Sequence, residues 1–145
     1  MASAPGVLKR YNRPAGNASI RTVGELRDRL AAARNEEQFQ AVGLLGRDTL
    51  ISLAQAVYVR ERHPPFDGVE PSNTDGKRML EAYFAVELAG GTNEEARRHA
   101  RSALDFANAL QHRRTATFRD AALCVEATTT VVNIIAIVAG RRDPH

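Results

Sequence analysis

The amino-acid sequence predicts an all-α protein, a four- to five-helix up-and-down bundle. Apolar residues recur every three or four positions along most of the chain, which is the spacing of one face of an α-helix. Residues that cap helices precede these segments, and glycines or prolines follow them. No stretch alternates apolar and polar residues for long enough to indicate a strand. A length of 145 residues is typical of one domain.

The N-terminal part of the chain divides into an arm and a short helix. Residues 1–20 contain two prolines and two glycines among small and basic residues, so we expect a flexible arm. Residues 21–142 are predicted to form the single bundle domain. Thr22 and Glu25 have the spacing of a capping box, which predicts a short helix over GELRDRLAAAR.

A long central helix is predicted over NEEQFQAVGLLGRDTLISLAQAVYVR. Asn35 can cap its start, and the two glutamates that follow lie where the helix dipole favours acids. Its apolar positions cover much of its circumference, so we expect it at the centre of the fold. Gly43 and Gly46 would let another helix approach closely. The predicted core positions are Phe39, Val42, Leu45 or Leu44, Leu50, Leu53, Ala54 and Val57.

A proline-rich segment, HPPFDGVEP, separates this helix from a third one, which is predicted over residues 74–88. A basic cluster lies where the proline-rich segment begins, and it consists of Arg60, Arg62 and His63. We interpret this cluster as part of a solvated loop rather than as a phosphate contact. The glycines of AGGTN suit the left-handed conformation that ends a helix.

Two further helices complete the predicted bundle. A capping-box pattern from Thr92 to Glu95 opens the fourth helix. Thr117 can cap the last helix, which runs to Gly140 and carries the only cysteine, Cys124, at an apolar position. A single cysteine excludes an internal disulfide.

Composition and charge narrow the classes of function. The formal net charge of +3 is compatible with a phosphate-bearing partner. The N-terminus lacks the apolar stretch of a signal peptide, and the apolar run over residues 131–139 is too short to span a bilayer. We therefore expect a cytoplasmic protein without a membrane role. His63, His99 and His112 lack the spacing of metal ligands, and no phosphate-cradling loop occurs, so we expect neither a metal nor a cofactor.

The fourth helix carries a polar edge. Arg97, Arg101, Asp105, Asn108 and His112 follow one another at spacings of three or four, so they lie on one face. This edge could be the solvated face of an ordinary amphipathic helix. It could also carry chemistry, because a histidine can act as a general acid or base on a ribose hydroxyl or a leaving oxygen.

His112 is the candidate catalytic residue, with Asn108 and Arg113 beside it. Asn108 lies one helical turn before His112 and can orient the imidazole or hold a phosphate oxygen. Arg113 could stabilise the negative charge that develops on a phosphorus centre.

The segment ANALQH, followed by a threonine-containing turn and a helix that opens with Asp-Ala, resembles the HEPN superfamily. Those proteins are small helical bundles with an Arg-Asn-x-x-x-His motif, and Asn108 and His112 match its Asn and His. The helix with GRDTLISLAQAVY is similar to an early helix of such domains, and the resemblance covers roughly residues 36–140. It implies a HEPN-like domain of a bacterial stress or phage-defence type, commonly a homodimer, that acts on RNA without a metal.

One position departs from the motif, because Ala107 replaces its arginine and cannot bind phosphate. Either catalysis is lost, leaving a dimerising module that binds RNA or a protein partner, or another guanidinium serves a metal-independent endoribonuclease. Arg47, Arg101 and Arg113 are the candidates for that guanidinium. DNA binding is less favoured, because no helix-turn-helix pattern occurs. The residues expected to contact nucleic acid are Arg97, Arg101, Arg113 and Arg114.

Overall fold

Five α-helices and one 3₁₀ turn make up the fold, which a computed structural model describes for residues 22–113 and 117–140. The helices are α1 (22–32), α2 (Glu36–Val57), α3 (Gly76–Glu87), α4 (Glu94–His112) and α5 (Phe118–Val138), and the 3₁₀ turn, Gly91–Asn93, directly precedes α4. No strand occurs within the described residues, so the predicted all-α fold class is confirmed. The predicted arm, residues 1–20, and the end of the predicted domain, 141–142, lie outside this part of the chain.

The start of α2 is built as the sequence predicts. Asn35 has extended backbone angles, and its side-chain oxygen accepts a hydrogen bond from the N–H of Gln38 (2.9 Å). The two glutamates of the first turn lie at the positive end of the helix dipole. The other end comes three residues earlier than predicted, since α2 stops at Val57 and Tyr58 adopts an extended conformation.

The core lies between α2, α3, α4 and α5. Both α5 and α3 pack against α2 and α4, so α2 is central, as predicted. Five of its predicted core positions are buried, whereas Phe39 and Leu45 are partly buried and Leu44 is exposed. Packing of α1 on α2 and α5 forms a smaller cluster, whose buried members are Leu26, Val42, Ala121 and Val125.

Gly46 allows α2 and α5 to approach closely. A Cβ atom at this position would lie 3.2 Å from Sγ of Cys124 and 3.3 Å from Oγ1 of Thr128, which is tighter than an ordinary van der Waals contact. Cys124 is fully buried, as predicted for a small hydrophobic residue. Burial raises the pKa of its thiol.

By length and composition, α5 as a whole is long and apolar enough to cross a membrane, although the run over 131–139 alone is not. Half of its most apolar window is buried inside the bundle, and core helices commonly meet the same criteria. Its buried residues pack against α2 and α4. In this fold α5 is therefore a core helix.

The proline-rich segment is held against α3 at His63. Nδ1 of His63 accepts a hydrogen bond from the N–H of Val59 (2.9 Å), and Nε2 lies 2.9 Å from Oε2 of Glu87 on α3. Nε of Arg62 lies 2.7 Å from the same carboxylate oxygen. Because Nδ1 accepts, the neutral ring carries its proton on Nε2, and this N–H donates a hydrogen bond to Glu87.

The burial of His63 corrects the interpretation of its cluster as a solvated loop. Its side chain is only 1 % exposed, and its ring contacts those of Tyr58 and Tyr83. Arg60 and Arg62 are exposed, as expected. The segment before α3 is thereby fixed to the bundle, which matters because its end contributes to the cleft described below.

The ends of the helices test which of the capping residues predicted from the sequence act as caps. Thr117 caps α5 by accepting a hydrogen bond from a backbone N–H three residues later (3.2 Å). Gly90 has a φ of 100°, which favours glycine as predicted, but its ψ of 157° is not that of a left-handed helical cap, and α3 ends earlier, with Leu88 as its C-cap. The prediction for Thr92 is wrong, because it lies inside the 3₁₀ turn Gly91–Asn93. Thr22 belongs to α1, which the structure describes from this residue on.

Candidate functional site

A cleft of about 290 Å³ lies between the middle of α2, the start of α3 and the C-terminal half of α4. We refer to it as the polar cleft. Its charged and amide side chains come from all three helices: Arg47 on α2, the acidic cap Asp75 and Lys77 at the start of α3, and Asn108, Gln111 and His112 on α4.

Three residues singled out from the sequence meet in this cleft. Asn108 and His112 lie on one face of α4 because they are four residues apart. Arg47 joins them because α2 packs against α4. Within the described residues, the guanidinium of Arg47 has no ion-pair or hydrogen-bond partner. It is therefore available to a ligand.

The ring of His112 is oriented by its own helix. Nδ1 lies 2.8 Å from the backbone oxygen of Asn108. A carbonyl oxygen only accepts hydrogen bonds, so Nδ1 carries the proton and the neutral ring presents an unprotonated Nε2. The role predicted for the Asn108 side chain is thus performed by its backbone. Nε2 can exchange a proton with a ligand in the cleft.

Ala107 does not offer a place for the arginine of the HEPN motif. It is fully buried and belongs to the main hydrophobic core. An arginine here would have to bury its charge among apolar side chains, which is costly. Arg47 is the guanidinium that shares the cleft with Asn108 and His112.

The start of α3 adds a cation that the sequence analysis missed. Asp75 caps α3 by accepting a hydrogen bond from the N–H of Arg78 (3.2 Å). Lys77 follows, and its Nζ lies 3.7 Å from carboxylate oxygens of both Glu81 and Asp105. The segment TDGK indicates the start of α3, because its aspartate is a capping residue that precedes the first apolar positions of the helix.

The other predicted arginines lie away from the cleft. Arg97 donates hydrogen bonds to backbone oxygens at the end of α3, so its guanidinium has a structural partner. The guanidinium of Arg101 lies 4.2 Å from the ring centroid of Phe66, a cation–π contact. Arg113 is exposed just after α4 and does not line the cleft, and Arg114 lies outside the described residues.

Neither a metal site nor a known relative adds to this description. In residues 22–113 and 117–140, no three His, Cys, Asp or Glu side chains are grouped so as to hold a metal ion. No family model, curated protein or solved structure matches the chain. The resemblance to HEPN proteins therefore rests on the short motif and the helical order alone.

Proposed function

We propose that the protein is a HEPN-like RNA-binding module of a bacterial stress or phage-defence type, and that RNA binds in the polar cleft. The observation that carries this proposal is the meeting of Arg47, Asn108 and His112 in one cleft with Lys77. Arginine and lysine bind phosphate, and side-chain amides bind ribose hydroxyls and base edges. The volume of about 290 Å³ suits about one nucleotide unit of a single strand, since it is near the lower limit of small-molecule sites.

A salt titration tests binding through these cations. If Arg47 and Lys77 each contact one phosphate, the logarithm of the association constant should fall with the logarithm of salt concentration with a slope of roughly −1.4. Fluorescence anisotropy of a labelled single-stranded RNA measures this slope. Arg47→Gln should weaken binding about tenfold and make the slope shallower by about 0.7.

Arg98→Gln is the matched control for this experiment. Arg98 is exposed, lies outside the cleft and pairs with Glu94 on its own helix. The substitution removes the same charge from the protein, so RNA affinity should stay within about twofold of wild type. Equal losses in the two variants, or no binding by wild type, would contradict the proposal.

A metal-independent endoribonuclease is the second candidate, and the tautomer of His112 favours it. Nε2 can take the proton of a ribose 2′-hydroxyl as its oxygen attacks the adjacent phosphorus. Arg47 would stabilise the charge on the phosphoryl oxygens. The imidazolium then returns the proton to the leaving 5′-oxygen, which gives a cyclic phosphate and a free 5′-hydroxyl.

Cleavage of single-stranded RNA in the presence of a chelator separates the two candidates. Cleavage by wild type that is lost in both His112→Ala and Arg47→Gln supports the nuclease. RNA binding without cleavage supports the binding module. Cleavage that persists in His112→Ala excludes the proposed role of His112.

We also propose a cytoplasmic homodimer, in which RNA or a protein partner would meet both protomers. Leu44 on α2, and Phe118 and Ile137 on α5, support a dimer because these apolar side chains are each more than half exposed. Light scattering at high micromolar concentration should give the mass of two chains. A monomer at that concentration would contradict the dimer.

A further inference from the structure

Phe66 is an exposed aromatic residue in the segment between α2 and α3. It is 44 % exposed, although phenylalanine is usually among the most buried residues. The guanidinium of Arg101 on α4 lies over its ring, 4.2 Å from the centroid. Because Arg101 covers one face of the ring, the exposed area lies on the other face and the edge. The bundle thus presents an aromatic surface that is backed by a cation.

The segment that carries Phe66 is held in place on both sides of the ring. Before it, His63 is buried and anchors the chain, and two prolines follow. After it, the carboxylate of Asp67 accepts hydrogen bonds from the N–H of Val69 (3.1 Å) and from Nε of Arg78 (2.9 Å). An aromatic ring on such a fixed segment loses little conformational entropy when it binds a ligand.

Arg101 differs from the structural arginines of this protein, because it has no acceptor. Within the described residues, its guanidinium forms no ion pair or hydrogen bond, and the residue is partly exposed. Its positive charge therefore remains to attract a phosphate backbone. Aromatic rings on which bases stack, placed beside unpaired cations, are the means by which proteins bind single-stranded nucleic acids.

Arg101 lies beyond one end of the polar cleft, on the helix face that lines it. The cleft reaches Leu104, three residues later, and Asn108 lies two helical turns after Arg101 on the same face. The distance from Arg101 to Asn108 along the axis is about 10 Å, or about three steps of a stacked strand. Asp105 lies between them, and Nζ of Lys77, 3.7 Å from its carboxylate, offsets its charge. A strand that leaves the cleft along α4 therefore reaches the aromatic ring within a few nucleotides.

We propose that Phe66, supported by Arg101, is a stacking platform for a base of single-stranded RNA beside the nucleotide in the polar cleft. This inference deepens the proposed function and rests on it, because it places a second contact on the same strand. Every base has a flat π-face, so the platform accepts any base and adds affinity without sequence preference.

Phe66→Trp tests the platform directly, because the chain contains no tryptophan. A base stacked on the new indole should quench its fluorescence saturably, with the same midpoint as the anisotropy of labelled single-stranded RNA. The indole keeps both the cation–π contact and the stacking surface, so the RNA affinity should stay within about twofold of wild type. Phe106→Trp is the matched control, since Phe106 is 42 % exposed on α4 and does not line the cleft. Its fluorescence should not be quenched saturably.

Phe66→Ala measures what the platform contributes to RNA affinity. The affinity should fall about five- to a hundredfold, the effect of losing one stacked base. Its dependence on salt concentration should not change, because no charge is removed, whereas Arg47→Gln makes that dependence shallower. RNAs with one abasic nucleotide at successive positions should reveal one position at which wild type loses this factor and Phe66→Ala loses nothing further. Thermal unfolding checks that the variant is folded.

Two results together would overturn the platform and leave the proposed function standing. In these, RNA binds, but Phe66→Trp is quenched no more than Phe106→Trp, and Phe66→Ala keeps the wild-type affinity. A wild type that binds no RNA removes the proposed function, and adenosine monophosphate then probes the platform alone. Saturable quenching of Phe66→Trp by this nucleotide keeps the platform as a nucleotide site, and quenching that stays linear in concentration overturns it.

Discussion

His63→Ala should lower the free energy of unfolding by about 3 kcal/mol. Nδ1 of His63 accepts the N–H of Val59 (2.9 Å), and loss of this acceptor at a part-buried position costs about 1–3 kcal/mol. The ring centroids of Tyr58 and Tyr83 lie 5.9 and 5.3 Å from that of His63, and each ring contact contributes about 0.5–1.5 kcal/mol. The segment that follows α2 can relax after the substitution and recover part of this loss. We therefore expect a decrease in the free energy of unfolding in the lower half of the range that the hydrogen bond and the two ring contacts give together.

Urea unfolding at pH 7, followed by circular dichroism, measures this loss. His63→Phe separates the hydrogen bonds from the ring contacts, because it keeps the ring contacts and removes both the acceptor for Val59 and the donor to Glu87, so it should cost about 1–3 kcal/mol. His99→Ala is the control, since His99 is exposed on α4 and its loss should stay within about 0.5 kcal/mol. A loss below about 1 kcal/mol for His63→Ala would refute this reasoning.

Four further predictions concern three positions in the helices. Asn35→Ala should lower the free energy of unfolding by about 1 kcal/mol in a urea titration, whereas Asn35→Asp should keep most of it because the cap acceptor remains. Gly46→Leu should cost at least about 1–3 kcal/mol in the same assay, since the new side chain meets α5; unchanged stability would contradict the close approach. Because burial raises the pKa of Cys124, its thiol should react with a disulfide reagent at pH 8 only as fast as the protein unfolds. The folded state holds this proton more tightly than the unfolded state, so the associated stability is present below the ordinary thiol pKa of 9.0 and is lost above it. Wild type should therefore lose stability relative to Cys124→Ala between pH 8 and pH 10, and a constant difference would contradict the raised pKa.

The helices could be predicted because their signals are local. Asn35 and Thr117 cap the helices they precede, and Gly90, just beyond the end of α3, has the positive φ that favours glycine. Thr92 misleads because a capping side chain needs extended backbone, and a 3₁₀ turn occupies that position. The spacing of a threonine three residues before a glutamate does not show whether the backbone at the threonine is extended or forms a 3₁₀ turn.

The candidate site could be predicted only in part, because its members come from three helices. Asn108 and His112 share one face of α4, so their spacing in the sequence is sufficient to predict that they lie together. Arg47 and Lys77 reach the cleft through the packing of α2 and α3, which no local pattern specifies. The buried position of Ala107 likewise became clear only when α4 was packed.

Charge alone was a poor guide to function in this chain. His63 stands among arginines and prolines, yet it is buried, and Glu87, 24 residues later, accepts a hydrogen bond from its ring. Arg97 looked available for nucleic acid, but the turn between α3 and α4 brings backbone oxygens within its reach. Such partners distant in sequence, rather than the residue types, distinguish a structural cation from a binding one.

The location of bound RNA is the most direct test of the proposed function. The full-length ¹⁵N-labelled protein is titrated with a single-stranded RNA, and the backbone amide shifts are mapped onto the bundle. We predict that the largest shifts fall around Arg47, Lys77, Asn108 and His112. Shifts that cluster instead around Arg98, or no saturable shifts at all, would contradict binding in the polar cleft.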